Sequence, residues 1–196
     1  MAKLFGNLQL VMLIGLVAAI ALIAVFMGAT GEGGQEIGND VLRWLHLFFG
    51  VLWIGLLYYF NFVQVPLMPS IPAEQKGAVT GHIAPKALFY FRWAAALTVV
   101  TGLGIAFHNG YALDALLFRT PGMNALNLIG VGMWLALIMA FNVWFIIWPA
   151  QKKVLGLVEA SAEEKAAAAP RALIASRLNT LLSLPMMWAM VSANLG

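Results

Sequence analysis

The sequence predicts an all-α integral membrane protein, built as a bundle of five transmembrane helices. Of its 196 residues, 62% are hydrophobic and only 10% are charged, whereas about a quarter of the residues of a soluble domain are charged. Five long apolar segments follow one another, and each has the roughly 20 residues needed to cross a hydrocarbon core of about 30 Å. We therefore predict a single transmembrane domain over residues 1–196, with spans at about 8–29, 41–65, 88–107, 123–148 and 172–195.

Each span has its own limits in the sequence. The first has a longer apolar core than a signal peptide, so we expect it to be retained as an anchor. The second ends where Pro66 follows it, because the residue before a proline disfavours the helical conformation. The third carries Arg92 near its start, and the fourth is closed by Pro149. The fifth contains Pro185, whose freed carbonyl we expect neighbouring helices to satisfy.

The distribution of lysine and arginine predicts the orientation. Five spans place the two termini on opposite sides of the membrane. With the N-terminus inside, nine of the 11 basic residues face the cytoplasm, and only Arg43 and Arg119 face outward. Cytoplasmic loops carry an excess of Lys and Arg. We therefore expect a cytoplasmic N-terminus and an outer C-terminus.

Composition excludes several classes of function. Because the sequence has no cysteine, it has no disulfide, no thiolate metal site, no iron–sulfur cluster and no covalently attached c-type haem. The net charge of +3 is explained by the membrane topology. We therefore expect membrane lipids as partners and no nucleic acid. The sequence contains no phosphate-binding glycine loop, no dinucleotide fingerprint and no HExxH zinc motif.

A histidine inside the second span is the first candidate for chemistry. The helical repeat places Arg43, His46, Gly50 and Trp53 close to one stripe. This stripe offers a metal ligand, a glycine that a ring can approach, an aromatic wall and a cation for carboxylates. The alternative is that His46 hydrogen-bonds a neighbouring helix and that Trp53 belongs to helix packing.

A second histidine lies at the same predicted outer level. His108 is at the outer end of the third span and would face His46 across the bundle. A b-type haem is held by one or two histidines, and its propionates pair with arginine. This pattern favours haem b, with His46 as a ligand of its iron, His108 as the second ligand and Arg43 beside the propionates. The alternative is that His108 is a solvated loop residue.

Polar residues also collect at the predicted cytoplasmic ends of the spans. Two arginines with several amides favour binding of an anionic substrate or a lipid headgroup. The alternative is a set of snorkelling arginines and hydrogen bonds between helices. The candidate substrate-binding residues are Arg92, Asn142, Arg177 and Asn179.

Several short strings stand out along the chain from residue 41 to the C-terminus. They are 43–46 with 51–55, Pro85 with 91–93 and Gly102, 142–154, and 177–185 with Met190 and Ser192. Together and in this order, they resemble the membrane domain of bacterial cytochrome-c-linked urate oxidases. A looser resemblance exists to haem-binding membrane families such as the HemJ-type protoporphyrinogen oxidases and CopD-like proteins.

The resemblance implies a redox protein of the bacterial inner membrane whose electrons pass to cytochrome c on the outer side. The sequence departs from the family pattern in two ways. It has no Cys-x-x-Cys-His motif, so we expect a short form that lacks the cytochrome c domain. Aromatic residues such as Phe89 and Tyr90, and the pair Ala193 and Asn194, stand where histidines are expected.

Three functions agree with these features. The first is a small multi-pass membrane redox protein or subunit that binds haem b and passes electrons toward an outer cytochrome c. The second is the membrane component of a urate (purine) oxidase that needs a separate cytochrome c. The third is a non-catalytic accessory subunit of a larger membrane enzyme complex.

Overall fold

The computed structural model describes residues 5–31, 34–122 and 124–193, and within these ranges the chain is helical and contains no strand. Its contacts divide the chain into two compact units, Met1–Val41 and Leu42–Gly196. In the described ranges, four helical segments are long and apolar enough to cross a membrane. This confirms the all-α class and agrees with a membrane protein. The four segments are Leu8–Ala29, Glu36–Ser70, Ala73–His108 and Ala125–Val154.

The first unit contains helix α1, Leu8–Thr30, and the start of helix α2, Gly34–Tyr58. The Asn7 side chain caps α1 by accepting a hydrogen bond from the Leu10 backbone N–H at 3.2 Å. The helix ends at Gly31, which has a φ of 70° and donates its N–H to the Met27 carbonyl. Only glycine adopts this left-handed conformation readily, so the helix ends where the sequence places a glycine.

The second unit continues α2 and carries the other helices. Short helices connect the long ones, and three segments with the wider π-helical hydrogen bonding interrupt them. The α-helices are α3 Val65–Leu67, α4 Ala73–Ala78, α5 Ala84–His108, α6 Ala112–Leu116, α7 Ala125–Phe141, α8 Trp148–Val154 and α9 Ala162–Ser192. The π-helical segments are π1 Tyr59–Gln64, π2 Val79–Ile83 and π3 Asn142–Ile147.

All three π-helical segments lie just before a proline. Pro66, Pro85 and Pro149 are each the second residue after π1, π2 and π3. A proline ring normally clashes with the carbonyl four residues earlier, and a wider turn relieves this clash without ending the helix. The helices therefore do not end at Pro66 and Pro149, where the sequence was expected to stop them, and the predicted bounds of the spans stay predictions. The helical segments continue to Ser70 and Val154.

The predicted fifth span corresponds to α9, which is longer than expected. A capping box starts the helix: the Glu164 N–H donates to the Ser161 hydroxyl, and the Glu164 carboxylate accepts from the Ser161 N–H. Helix α9 is not one of the four segments apolar enough to span a membrane, and residues 194–195 lie outside the described ranges. The fifth span and the orientation of the termini stay predictions.

The core of the second unit lies where its long helices pack. Helix α9 packs along α7, π3 and α8, and the short α6 packs against α7. The largest fully buried side chains include Trp53, Phe91 and Met139, which come from α2, α5 and α7. This packing leaves room for a cavity on one side of the core.

Candidate functional site

A cavity of about 450 Å³ lies among the helices of the second unit. This volume falls within the range of about 300–1,000 Å³ that is typical of ligand sites. Its walls are mostly apolar, and the polar residues that line it are Arg43, His46, Thr98 and Tyr111. The apolar walls come from α2, α5, α7 and α9, and include Leu47, Val99, Leu103, Ile105, Ile129, Met133, Leu137, Met190 and Val191.

His46 is held in one orientation by the backbone of α5. Its Nδ1 lies 2.8 Å from the Thr98 carbonyl oxygen, and the Thr101 hydroxyl lies 3.4 Å from the same nitrogen. The Thr101 hydroxyl donates to the Leu97 carbonyl at 2.7 Å. A carbonyl can only accept, so Nδ1 carries the proton in the neutral ring. The lone pair is then on Nε2, to which no described residue forms a hydrogen bond.

Gly102 makes this position of the ring possible. A Cβ atom at Gly102 would lie 2.7 Å from His46 Cε1 and 3.0 Å from Nδ1. These distances are shorter than atoms in contact allow, so any other residue would push the ring away. The glycine therefore permits His46 to lie directly against the backbone of α5.

Arg43 lies about one turn before His46 and is exposed at the cavity wall. Tyr111, in the segment between α5 and α6, faces the same cavity. Burial raises the pKa of the Tyr111 phenol, and the charge of Arg43 lowers it in part. The phenol is therefore neutral at physiological pH and keeps a proton to donate. The two side chains present a cation and a hydroxyl to one region of the cavity.

The structure does not bring Trp53 and His108 into this cavity. Trp53 is completely buried in the core, and its indole Nε1 has no hydrogen-bond partner among the described residues. His108 is exposed at the last position of α5 and is not among the residues that line the cavity. Of the four residues predicted to contact a cofactor, the cavity contains Arg43 and His46.

The predicted substrate-binding amides bond to each other. Asn142 Nδ2 donates to Asn179 Oδ1 at 2.9 Å, and Asn179 Nδ2 donates to the Met139 carbonyl at 2.9 Å. Both asparagines are buried, Asn179 completely. These bonds connect α9 to π3 and α7, so the pair stabilises the contact between these helices.

The two predicted substrate-binding arginines lie elsewhere. The Arg92 guanidinium carbon is 3.9 Å from the centroid of the Trp148 ring, and Arg177 is exposed on α9. Neither side chain lines the cavity. The four residues of the predicted substrate site are therefore not gathered around one described cavity.

Thr98, Gly102 and Tyr111 were not predicted from the sequence as site residues. The helical repeat gives the face of α2 that carries His46, but it does not show which residues of α5 lie opposite. The Thr98 contribution is a backbone carbonyl, which every residue type has. Within the described ranges no cluster of three or more His, Cys, Asp or Glu side chains could hold a metal ion.

Comparison with known families supports the resemblance. Residues 122–196 match the model of the family described as urate oxidase N-terminal. This match covers less than half of the chain and includes α7, π3, α8 and α9. The strings that contain His46 and Arg92 lie outside it. No curated protein and no solved structure matches the chain.

Proposed function

We propose that this chain is a urate-oxidase-related membrane component that binds a b-type haem in the cavity through His46. In this proposal it passes electrons toward a cytochrome c on the outer side of a bacterial inner membrane. The observation that carries the proposal is the hydrogen bond from His46 Nδ1 to the Thr98 carbonyl. Histidines that bind a metal characteristically donate their other ring N–H to a carbonyl or carboxylate.

Three features of the cavity support haem as its occupant. The bond to Thr98 leaves the lone pair on Nε2, which is the form of imidazole that binds iron. The apolar walls match the face of a macrocycle, and the volume lies in the range of ligand sites. Arg43 supplies a cation, which pairs with carboxylates such as the propionates of haem.

The residues around the cavity would hold the haem and would also tune its redox potential. Haem supplies one-electron transfer when it is bound. The Thr98 carbonyl would make His46 a more basic ligand and would hold its ring in one orientation. The apolar side chains of the cavity would lower the local dielectric constant and keep water from the haem, which is one of the factors that set a haem potential. The Tyr111 hydroxyl, which lines the cavity with Arg43, would be a hydrogen-bond donor to the bound group.

The test is a dithionite-reduced minus oxidised spectrum of the protein purified in mild detergent, with pyridine haemochrome quantitation. A stoichiometric b-type signal is expected, and His46→Ala should abolish it. His108→Ala is the matched control, because it also removes an imidazole but lies outside the cavity wall. A preparation that is colourless under gentle purification, or a signal that survives His46→Ala unchanged, refutes haem binding at this site.

A second candidate follows from the family match over residues 122–196. The chain would be the membrane component of a urate oxidase, with a cytochrome c supplied as a separate protein. Urate-dependent reduction of added cytochrome c would support this function, and Asn142→Ala and Arg177→Ala should lower it if these residues bind the anion. A colourless chain that copurifies with a larger enzyme complex would instead indicate an accessory subunit.

A further inference from the structure

We propose that a basic and aromatic cluster on α5 and α8 binds the phosphate headgroup of an anionic phospholipid. The cluster, called the basic–aromatic belt below, lies apart from the cavity, so the inference is independent of the proposed function. It consists of the cations Lys86, Arg92 and Lys152 and the rings of Phe89, Tyr90 and Trp148.

Arg92 is the centre of the belt. Its guanidinium carbon lies 3.9 Å from the Trp148 ring centroid and 5.2 Å from the Phe89 centroid. The two rings contact the centre of the planar guanidinium group, whereas its five N–H donors lie at its edge. No described residue accepts a hydrogen bond from these donors. A stacked guanidinium group with free edges can bind a phosphate through two parallel hydrogen bonds.

The two lysines extend this charge on either side. Lys152 Nζ lies 5.7 Å from the Trp148 centroid, and Lys86 Nζ lies 5.4 Å from the Tyr90 centroid. The belt joins the N-terminal half of α5, where the predicted third span begins, to α8, the last part of the segment Ala125–Val154 that is long and apolar enough to cross a membrane. At the ends of spanning helices, Trp and Tyr characteristically lie at the level of the lipid headgroups.

No described carboxylate side chain neutralises the positive charge of the basic–aromatic belt. The ion pairs in the described part of the chain are Arg119–Asp114 and Lys153–Glu164, so none of the three belt cations is paired with a described carboxylate. Lys153, the neighbour of Lys152, has its charge matched by Glu164 at 2.6 Å. The belt is therefore complementary to an anion and not to a zwitterion.

A lipid fits the belt better than a free anion does. Phe89 and Tyr90 are 43% and 47% exposed beside the cations. Their apolar faces are placed to contact acyl chains while the cations contact the phosphate. The occupant we infer is therefore an anionic phospholipid such as phosphatidylglycerol, which presents a phosphate and acyl chains together.

The test is native mass spectrometry of the detergent-purified chain titrated with phosphatidylglycerol and, separately, with phosphatidylcholine. The wild type should retain phosphatidylglycerol in preference. Lys86→Gln and Lys152→Gln should each weaken its binding about fivefold, and Arg92→Gln by at least as much. Arg92→Lys should restore only part of the affinity, because lysine keeps the charge but loses the planar fork.

Lys153→Gln is the matched control, since it removes the same charge one residue away from a side chain that is already paired. It should leave binding unchanged. Equal retention of the two lipids, or equal losses in Lys152→Gln and Lys153→Gln, overturns the proposal. Inorganic phosphate that displaces the lipid at equal concentration also overturns it, because the site would then bind a free anion. The two lysine variants, at surface positions, keep the test decisive if Arg92→Gln does not fold.

Discussion

Replacing Gly102 by alanine should displace His46 from its position against α5. The new Cβ would lie 2.7 Å from His46 Cε1, a distance that the ring can relieve only by turning away. Overpacking of this kind costs about 1–3 kcal/mol of unfolding free energy. Losing the bond from Nδ1 to the Thr98 carbonyl accounts for about 1 kcal/mol of that cost. The higher helix propensity of alanine offsets about 1 kcal/mol of this cost relative to glycine.

The magnitude can be isolated by a double-mutant cycle. In the His46→Ala background the ring is absent, so Gly102→Ala should keep only the helical gain. The coupling between the two substitutions should therefore be about 1–3 kcal/mol. The measurement is equilibrium unfolding of the four proteins in one detergent, followed by tryptophan fluorescence. The haem signal of Gly102→Ala should fall together with its stability.

Gly50→Ala is the control for this cycle. Gly50 lies on α2, one turn after His46, and a Cβ there would meet the Thr98 Cγ2 at 3.8 Å, an ordinary contact. It should stabilise the protein equally with and without the His46 ring. A coupling between Gly102 and His46 below about 0.5 kcal/mol, which is the usual limit of additivity, would refute the packing described here.

Three other substitutions test the fold. Gly130→Ala should lower the stability of the protein in thermal unfolding by about 3 kcal/mol or more, because the new Cβ would clash with the Ala115 backbone carbonyl, which cannot rotate away. An unchanged stability would show that α6 does not lie against α7. Asn179→Leu should cost about 2 kcal/mol, since it leaves the buried Asn142 Nδ2 on π3 unpaired and removes one bond to the Met139 carbonyl. An unchanged melting temperature would contradict this. The hydrogen bond from Lys153 holds the pKa of the Glu164 carboxyl below its usual range. The pair therefore stabilises the fold above about pH 4, and this stabilisation is lost as the pH falls through the lowered pKa. Glu164→Gln should have a melting temperature slightly below that of the wild type at pH 7 and equal to it in acid, and equal melting temperatures at pH 7 would exclude the pair as a stabilising contact.

Much of the fold could be predicted because hydropathy and length depend on the sequence alone. Four of the five predicted spans correspond to helices that are long and apolar enough to cross a membrane. The errors fell at prolines. Pro66 and Pro149 predict helix ends from local sterics, but a π-helical turn before each proline keeps the helix continuous. Local rules do not show this, because the wider turn is retained by packing around it.

The candidate site was predictable only in part. The sequence placed Arg43 and His46 on one stripe of α2, and both side chains line the cavity. Trp53 belongs to the same stripe but lies two turns further along, where the neighbouring helices enclose it completely. Asn142 and Asn179 were predicted to lie near each other and to bind a substrate. Because a buried amide needs a hydrogen-bond partner, the two side chains bond to each other.

The sequence by itself determined the membrane class, the helical segments and the chemical character of each helix face, because these follow from the transfer of side chains between water and lipid. Only the tertiary structure decided which faces meet. Thr98 and Gly102 acquire their importance from the register of α5 against α2. Arg92 binds the ring of Trp148, a residue 56 positions later in the chain. Pairings between distant residues depend on helix packing, whose geometry is set by close contacts that no local pattern encodes.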